Sequence, residues 1–249
     1  MEFLEDPGLA DEMIKGLAEE LQQEEWQRKV PHLTELVYCL TKSWLNRKAP
    51  SLPSDREVLL FATGVGLEKV LLKKHRQHIQ GECEGIHYDM DFLDYDARLG
   101  EFKSTRMSVK RPPEEFSEGW KRQIKGYLYA QAMGLYDSIA KSTGGEVTYM
   151  IPERHEATLG ILHLMGGYAP PFPELRAWRL TATWEEIQGN WVWLQARKEL
   201  YLGFLEQSTQ PKPYQFCMEW ECQYCRYSFF CKACKAVDEM EANLGQAQG

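Results

Sequence analysis

The chain has 249 residues, with 29 Lys+Arg against 37 Asp+Glu for a formal net charge of −8, and 43% of its residues are hydrophobic. This composition suits a folded domain with a sizeable core and excludes a disordered or collagen-like chain. No run of about 18 uncharged apolar residues occurs, and the acidic start MEFLEDPGLADEMIKG lacks the basic-then-apolar order of a signal peptide, so a cytoplasmic protein without a membrane partner is expected.

The acidity belongs to the ends. Residues 1–30 hold nine acids and three bases and residues 219–249 hold five acids and three bases, which leaves the middle balanced. Within that middle, Lys103, Arg106, Lys110, Arg111, Lys121, Arg122 and Lys125 face only three acids, a local basic stretch that can follow a nucleic-acid backbone.

The first thirty residues, with Leu4, Leu9, Met13, Ile14, Leu17 and Leu21 among acids, read as an amphipathic helical segment apart from the main domain. Residues 32–48 have a helical pattern that ends at KAPSLP. Ser54 and Glu57 form a capping box, and the helix they open is expected to run to about His78 or Ile79. From Glu84 two extended segments fold as a β-hairpin around a polar turn near Asp96 and Ala97. Pro112 and Pro113 precede a helix that stops near Ser142, and EVTYMIP, ATLGILHL and ELRAWRLTA follow as strands. A long helix from about Thr183 leads through QPKP to a cysteine cluster. Neither an internal repeat nor a phosphate-cradling glycine loop is present, so nucleotide hydrolysis has no support.

Glu101 and Lys103 lie two apart on a strand, so both side chains point to one face. A tight turn near residues 96 and 97 sets Asp91 roughly opposite Glu101 or Phe102, and parity lets its carboxylate join that face, with Asp89 in reserve for the same role. Two such acids make a hard oxygen site suited to Mg²⁺ or Mn²⁺, beside which Lys103 can orient a water or stabilise developing charge. Glu68, four residues after Gly64, supplies a third carboxylate from the preceding helix. Gln123 and Tyr127 share a face of the later helix and are expected to brace Lys103 or a phosphate. A Glu-x-Lys pair alone is usually a solvated surface pair; the order of the elements is what singles this one out.

That succession, a helix with Glu68, a hairpin with Asp91 and Glu101-Phe102-Lys103, then a helix with Gln123 and Tyr127, resembles the RecB-like branch of the PD-(D/E)XK nucleases over roughly residues 32 to 235. The resemblance implies an α/β, restriction-endonuclease-like core with a central mixed β-sheet flanked by helices. Many such nucleases have His where this chain has Glu68.

Seven cysteines remain, and Cys222, Cys225 and Cys231, with Cys39 far upstream, have the spacing of the iron-sulfur members, including the CRISPR-associated Cas-four family. The resemblance implies that these four thiolates hold a 4Fe-4S cluster. A local zinc knuckle drawing on Cys217 and Cys234, in its compact form Cys222, Cys225, Cys231 and Cys234, and a buried apolar cluster of thiols are the alternatives; the knuckle leaves Cys39 unused. Cys217 receives no role beyond being available to such a knuckle, and Cys83 reads as a core or surface thiol.

The domain reading is therefore an acidic segment over 1–30, a nuclease domain over 31–216 and a cysteine motif with a tail over 217–249. By resemblance the activity is a metal-dependent DNA exonuclease working on single-stranded ends in CRISPR spacer acquisition, with integrase proteins as partners. A non-catalytic DNA-binding scaffold of an adaptation complex and a phage or mobile-element recombination exonuclease stand as alternatives.

Overall fold

The structure, a computed structural model, describes residues 7–21, 29–142, 152–165, 172–212, 217, 221–222 and 225–236. The fold is α/β: a five-stranded mixed sheet flanked by helices. In chain order the helices are α1 (Pro7–Leu21), α2 (Leu33–Val37), α3 (Leu40–Lys48), α4 (Asp55–Leu71), α5 (Glu118–Ser142) and α6 (Trp184–Glu206). The strands are β1 (Arg76–Cys83), β2 (Ile86–Leu93), β3 (Leu99–Thr105), β4 (Arg154–His163) and β5 (Glu174–Thr183).

The chain forms two compact units. One comprises residues 30–37 and 64–198 and holds the whole sheet; the other comprises residues 1–29, 38–63 and 199–249.

In the sheet unit the strand order is β1-β2-β3-β4-β5, with β3 and β4 parallel and the other neighbours antiparallel. A parallel neighbour needs a crossover, and α5 lies in the connection between β3 and β4. Strand alternation divides the middle of the sheet. Phe92 and Phe102 turn to one face and form a core with Leu72 and Leu162, while Glu101, one step away, turns to the face that meets Gln123 of α5. Phe92 lies over its cross-strand partner Gly100, where a side chain would collide with the ring. Close helix packing makes a similar demand at Gly126 of α5, where an added Cβ would come within 2.6 Å of Leu33 and 3.1 Å of Leu194. Asn190 of α6 then donates to the carbonyl of Arg122 at 3.0 Å, which fixes α6 along α5.

Two expected helices are shorter than their patterns. The helix opened by Ser54 has the capping box, with Ser54 N to Glu57 Oε2 at 2.9 Å and Glu57 N to Ser54 Oγ at 3.4 Å, but it ends at Leu71. Residues 76–83 are strand β1 instead of its last turns. Glu84 and Gly85 both adopt positive φ, 45° and 74°, and make a two-residue turn that closes Cys83 onto Ile86. That turn chemistry, together with pairing along β2, outweighs the helical pattern of the residues before it. The helix expected over 32–48 is likewise two, α2 and α3, because Cys39 has extended backbone (φ −64°, ψ 113°) and caps α3.

The hairpin turns at Ala97, which has φ 59°, and Asp94 Oδ1 accepts the amides of Asp96 at 2.8 Å and Arg98 at 3.0 Å. The second and third expected strands are β4 and β5, and Thr183 opens α6 through a capping box with Glu186. The segment EVTYMIP lies outside the described residues apart from its final Pro152, and Leu4 also lies outside them. Among the described residues, no helix is long and apolar enough to cross a membrane.

In the other unit, Tyr201 is buried and donates to the carbonyl of Ser43 at 3.1 Å, while Trp44 Nε1 donates to the carbonyl of Phe204 at 3.2 Å, so the end of α6 is held on α3. Tyr227 reaches Asn46 Oδ1 at 2.9 Å from just before a helical stretch over 228–236. These bonds carry the C-terminal cysteines to Cys39.

Candidate functional sites

The carboxylate cluster of the sheet unit forms where the β2–β3 ladder opens. Phe92 pairs with Gly100 and Leu93 with Leu99, and beyond them the Asp91 carboxylate, in place of a backbone carbonyl, accepts the amide of Phe102 at 2.7 Å. Asp91 is thereby fixed on the face that Glu101 shares.

Glu101 is 1% exposed and its Oε1 accepts from Lys103 Nζ and, at 2.8 Å, from Gln123 Nε2. Gln123 Nε2 also donates to the Tyr127 hydroxyl at 2.8 Å, and that hydroxyl donates to the Asp89 carbonyl at 2.7 Å. The charges of Lys103, Asp91 and Glu68 all act on Glu101. The structure thus brings Glu68, Asp91, Glu101, Lys103, Gln123 and Tyr127 into one cluster. Gln123 and Tyr127 are expected from the sequence to brace Lys103 or a phosphate; the bonds they make run to Glu101 and to the Asp89 carbonyl of β2.

Burial pushes the Glu101 carboxyl up to about 8, against the pull of Lys103 and with Asp91 and Glu68 adding to the rise. Its Oε2 is buried without a hydrogen-bond partner, and so is Gln123 Oε1. Two unsatisfied oxygen acceptors, beside two further carboxylates and the Lys103 ammonium, offer oxygen donors of the kind a hard divalent cation takes. Among the described residues no three His, Cys, Asp or Glu side chains already converge on a single ion. Here Phe102, Gln123 and Lys103 hold Asp91 and Glu101 on separate partners, so an ion would have to draw the carboxylates together. Lys103 is 23% exposed on its side chain, which opens this end of the cluster to solvent.

The basic stretch separates into two groups. Arg106, Lys110 and Arg111 are exposed on the loop after β3. That loop is tethered to the sheet by His163 Nδ1 to the Met107 carbonyl at 2.9 Å and by Arg176 to the Val109 carbonyl at 3.2 Å. Lys121 instead pairs with Glu118 at 2.9 Å, and Arg122 stacks over Trp193 at 4.0 Å.

The second site lies in the other unit. Cys39, Cys217, Cys222, Cys225 and Cys231 line a small pocket together with Lys42, Glu221, Tyr227 and Ser228. Cys39 is 8% exposed; its amide donates to Glu221 Oε2 at 2.8 Å and its sulfur accepts the Lys42 amide at 3.4 Å. Burial pushes the thiols of Cys39, Cys217 and Cys231 up, Cys231 to about 11, and neighbouring sulfurs add to the rise in each. Thiols that hinder one another's ionisation around one pocket suit a soft cationic group that takes them as thiolates. Cys217, to which the sequence gives a place only in a zinc knuckle, lines the pocket with its sulfur 3.7 Å from that of Cys222. Its only signal was its distance of five residues from Cys222. Cys234 is not among the lining residues, and Cys83 lies on β1 in the other unit.

The chain matches no protein-family model and no curated protein sequence. It is similar in fold to a solved protein, the crystal structure of SSO0001, over 90% of this chain and 95% of that one, with 16% sequence identity and a TM-score of 0.52.

Proposed function

We propose that the chain is a metal-dependent deoxyribonuclease of the RecB-like PD-(D/E)XK type, with an iron-sulfur centre in its second unit. The observation that carries the reading is Glu101: buried, bound to Lys103 and Gln123 through one oxygen, and unsatisfied at the other. Glu68, Asp91 and Glu101 would hold Mg²⁺ or Mn²⁺, which supplies Lewis-acid activation of a phosphodiester and its attacking water. Lys103 sits at the solvent-facing end, where its ammonium can stabilise charge on a reacting phosphate. Asp91 is held by the Phe102 amide, and Gln123 with Tyr127 fixes Glu101, so these groups act by position. Arg106, Lys110 and Arg111 would bind the backbone of a DNA strand.

Cys39, Cys222, Cys225 and Cys231 would hold a 4Fe-4S cluster, with the presence of Cys39 in the pocket favouring it over a knuckle confined to the C-terminal segment. Action on single-stranded ends in CRISPR spacer acquisition, alongside integrase proteins, extends the same reading. The protein should be purified without oxygen and incubated with end-labelled single and double strands and Mn²⁺ or Mg²⁺. Metal-dependent cleavage that is lost in Lys103→Ala supports the nuclease. DNA binding without cleavage under every condition would favour a non-catalytic scaffold.

A further inference from the structure

Five cysteine sulfurs line the thiol pocket, and a four-thiolate centre uses four. Cys39 is set by Glu221 and Lys42, and the Cys231 amide is held by the Tyr227 carbonyl at 3.0 Å. Cys217 and Cys222 differ in that each presents its sulfur to the other, 3.7 Å apart. Turning one cysteine about χ1 moves its sulfur by about 3 Å, so the separation of the pair is close to one rotamer step. The thiolates of a cubane cluster would bind different irons, and two sulfurs 3.7 Å apart are placed for one corner and not for two.

We propose that Cys217 and Cys222 share one corner of the site, either of them supplying the fourth thiolate beside Cys39, Cys225 and Cys231. This rests on the cluster reading above. Either thiol would bind as a thiolate, giving up its proton, and the one displaced would take a proton up, so exchange between them would change neither the proton count nor the oxidation state. The centre would then have one replaceable ligand, at the corner where the two sulfurs meet.

The test is anaerobic reconstitution of the full chain with Fe²⁺ and sulfide, reading iron, zinc and sulfide per chain and the absorbance near 400 nm. Cys217→Ser and Cys222→Ser should each keep the iron content of the unsubstituted protein. The double variant should lose most of it, as should Cys225→Ser. Bleaching by Cys222→Ser alone, to the level of the double variant, would show that Cys217 cannot serve and overturn the proposal. So would loss of metal from Cys217→Ser alone, the result expected of a single zinc ion, whose thiolates stand about 3.8 Å apart at a Zn–S distance of about 2.3 Å. An unsubstituted protein that takes up neither iron nor sulfide would overturn the cluster reading itself. Alkylation of the loaded, unsubstituted protein supplies a check free of folding defects. Label divided between Cys217 and Cys222 supports sharing, and label on Cys217 alone contradicts it.

Discussion

At Glu101, burial and function pull in opposite directions. Folding raises its carboxyl from an ordinary 4.5 to about 8, so the metal-free fold favours the protonated form. The stability tied to this group is full below about pH 4.5 and is lost as pH rises through about 8. The metal-free melting temperature should therefore carry a downward component between pH 5 and 8 that Glu101→Gln removes. Mn²⁺ should restore several degrees at pH 8 to the unsubstituted protein and little to Glu101→Gln. Equal slopes and equal responses to Mn²⁺ would place the cation elsewhere. Asp91 allows a finer separation, because its carboxylate also accepts the Phe102 amide at 2.7 Å. Asp91→Asn keeps an acceptor there and should melt near the unsubstituted protein while cleaving roughly 100-fold more slowly or worse. Asp91→Ala should lose both stability and cleavage. Wild-type-like cleavage by Asp91→Asn would remove Asp91 from the metal site.

At the level of elements, Cys39 is both the cap of α3 and a wall of the thiol pocket. Serine is a good N-cap, so Cys39→Ser preserves the helix start and isolates the metal role. The variant should lose the absorbance near 400 nm and melt at lower temperature, because a centre ligated by Cys39 would close a loop of about 180 residues to the C-terminal cysteines. Full metal content and full stability in Cys39→Ser, with both lost in Cys234→Ser, would support the local knuckle.

The loop after β3 carries its own expectation. Neutralising Arg106, Lys110 and Arg111 together should weaken DNA binding and flatten its salt dependence in fluorescence anisotropy, whereas Lys121, already paired with Glu118, should matter less. An unchanged salt slope would make these three residues ordinary solvated charges. The elements legible in the sequence were those with local signals: the Ser54 and Thr183 caps, the turn at Ala97, and the alternation of β4 and β5. Strand β1 was not, since its pairing partner is β2 and its one local cue, Glu84-Gly85, has the longer Glu where Asn or Asp is usual. For the site, parity on the hairpin gave Asp91, Glu101 and Lys103. Which acceptor Gln123 chooses, and that Cys217 enters the thiol pocket, depend on packing between distant segments that no local pattern carries.

Across the whole molecule, the two chemistries belong to different units. The hard oxygen cluster lies in the sheet unit and the thiol pocket in the unit built from residues 1–29, 38–63 and 199–249. Each holds groups that burial shifts toward the protonated form, Glu101 in one and Cys39, Cys217 and Cys231 in the other, so each should release protons on taking up a metal, and both affinities should rise with pH. The central claim is that the Glu101 cluster hydrolyses DNA. The most direct measurement is a time course on an end-labelled single strand with Mn²⁺, comparing the unsubstituted protein with Glu101→Gln at equal thiol-site metal content. The account predicts progressive shortening of the strand by the unsubstituted protein, stopped by a chelator and reduced at least about 100-fold by Glu101→Gln. Equal cleavage by the two proteins, or no cleavage by the unsubstituted protein with either Mn²⁺ or Mg²⁺, would contradict it.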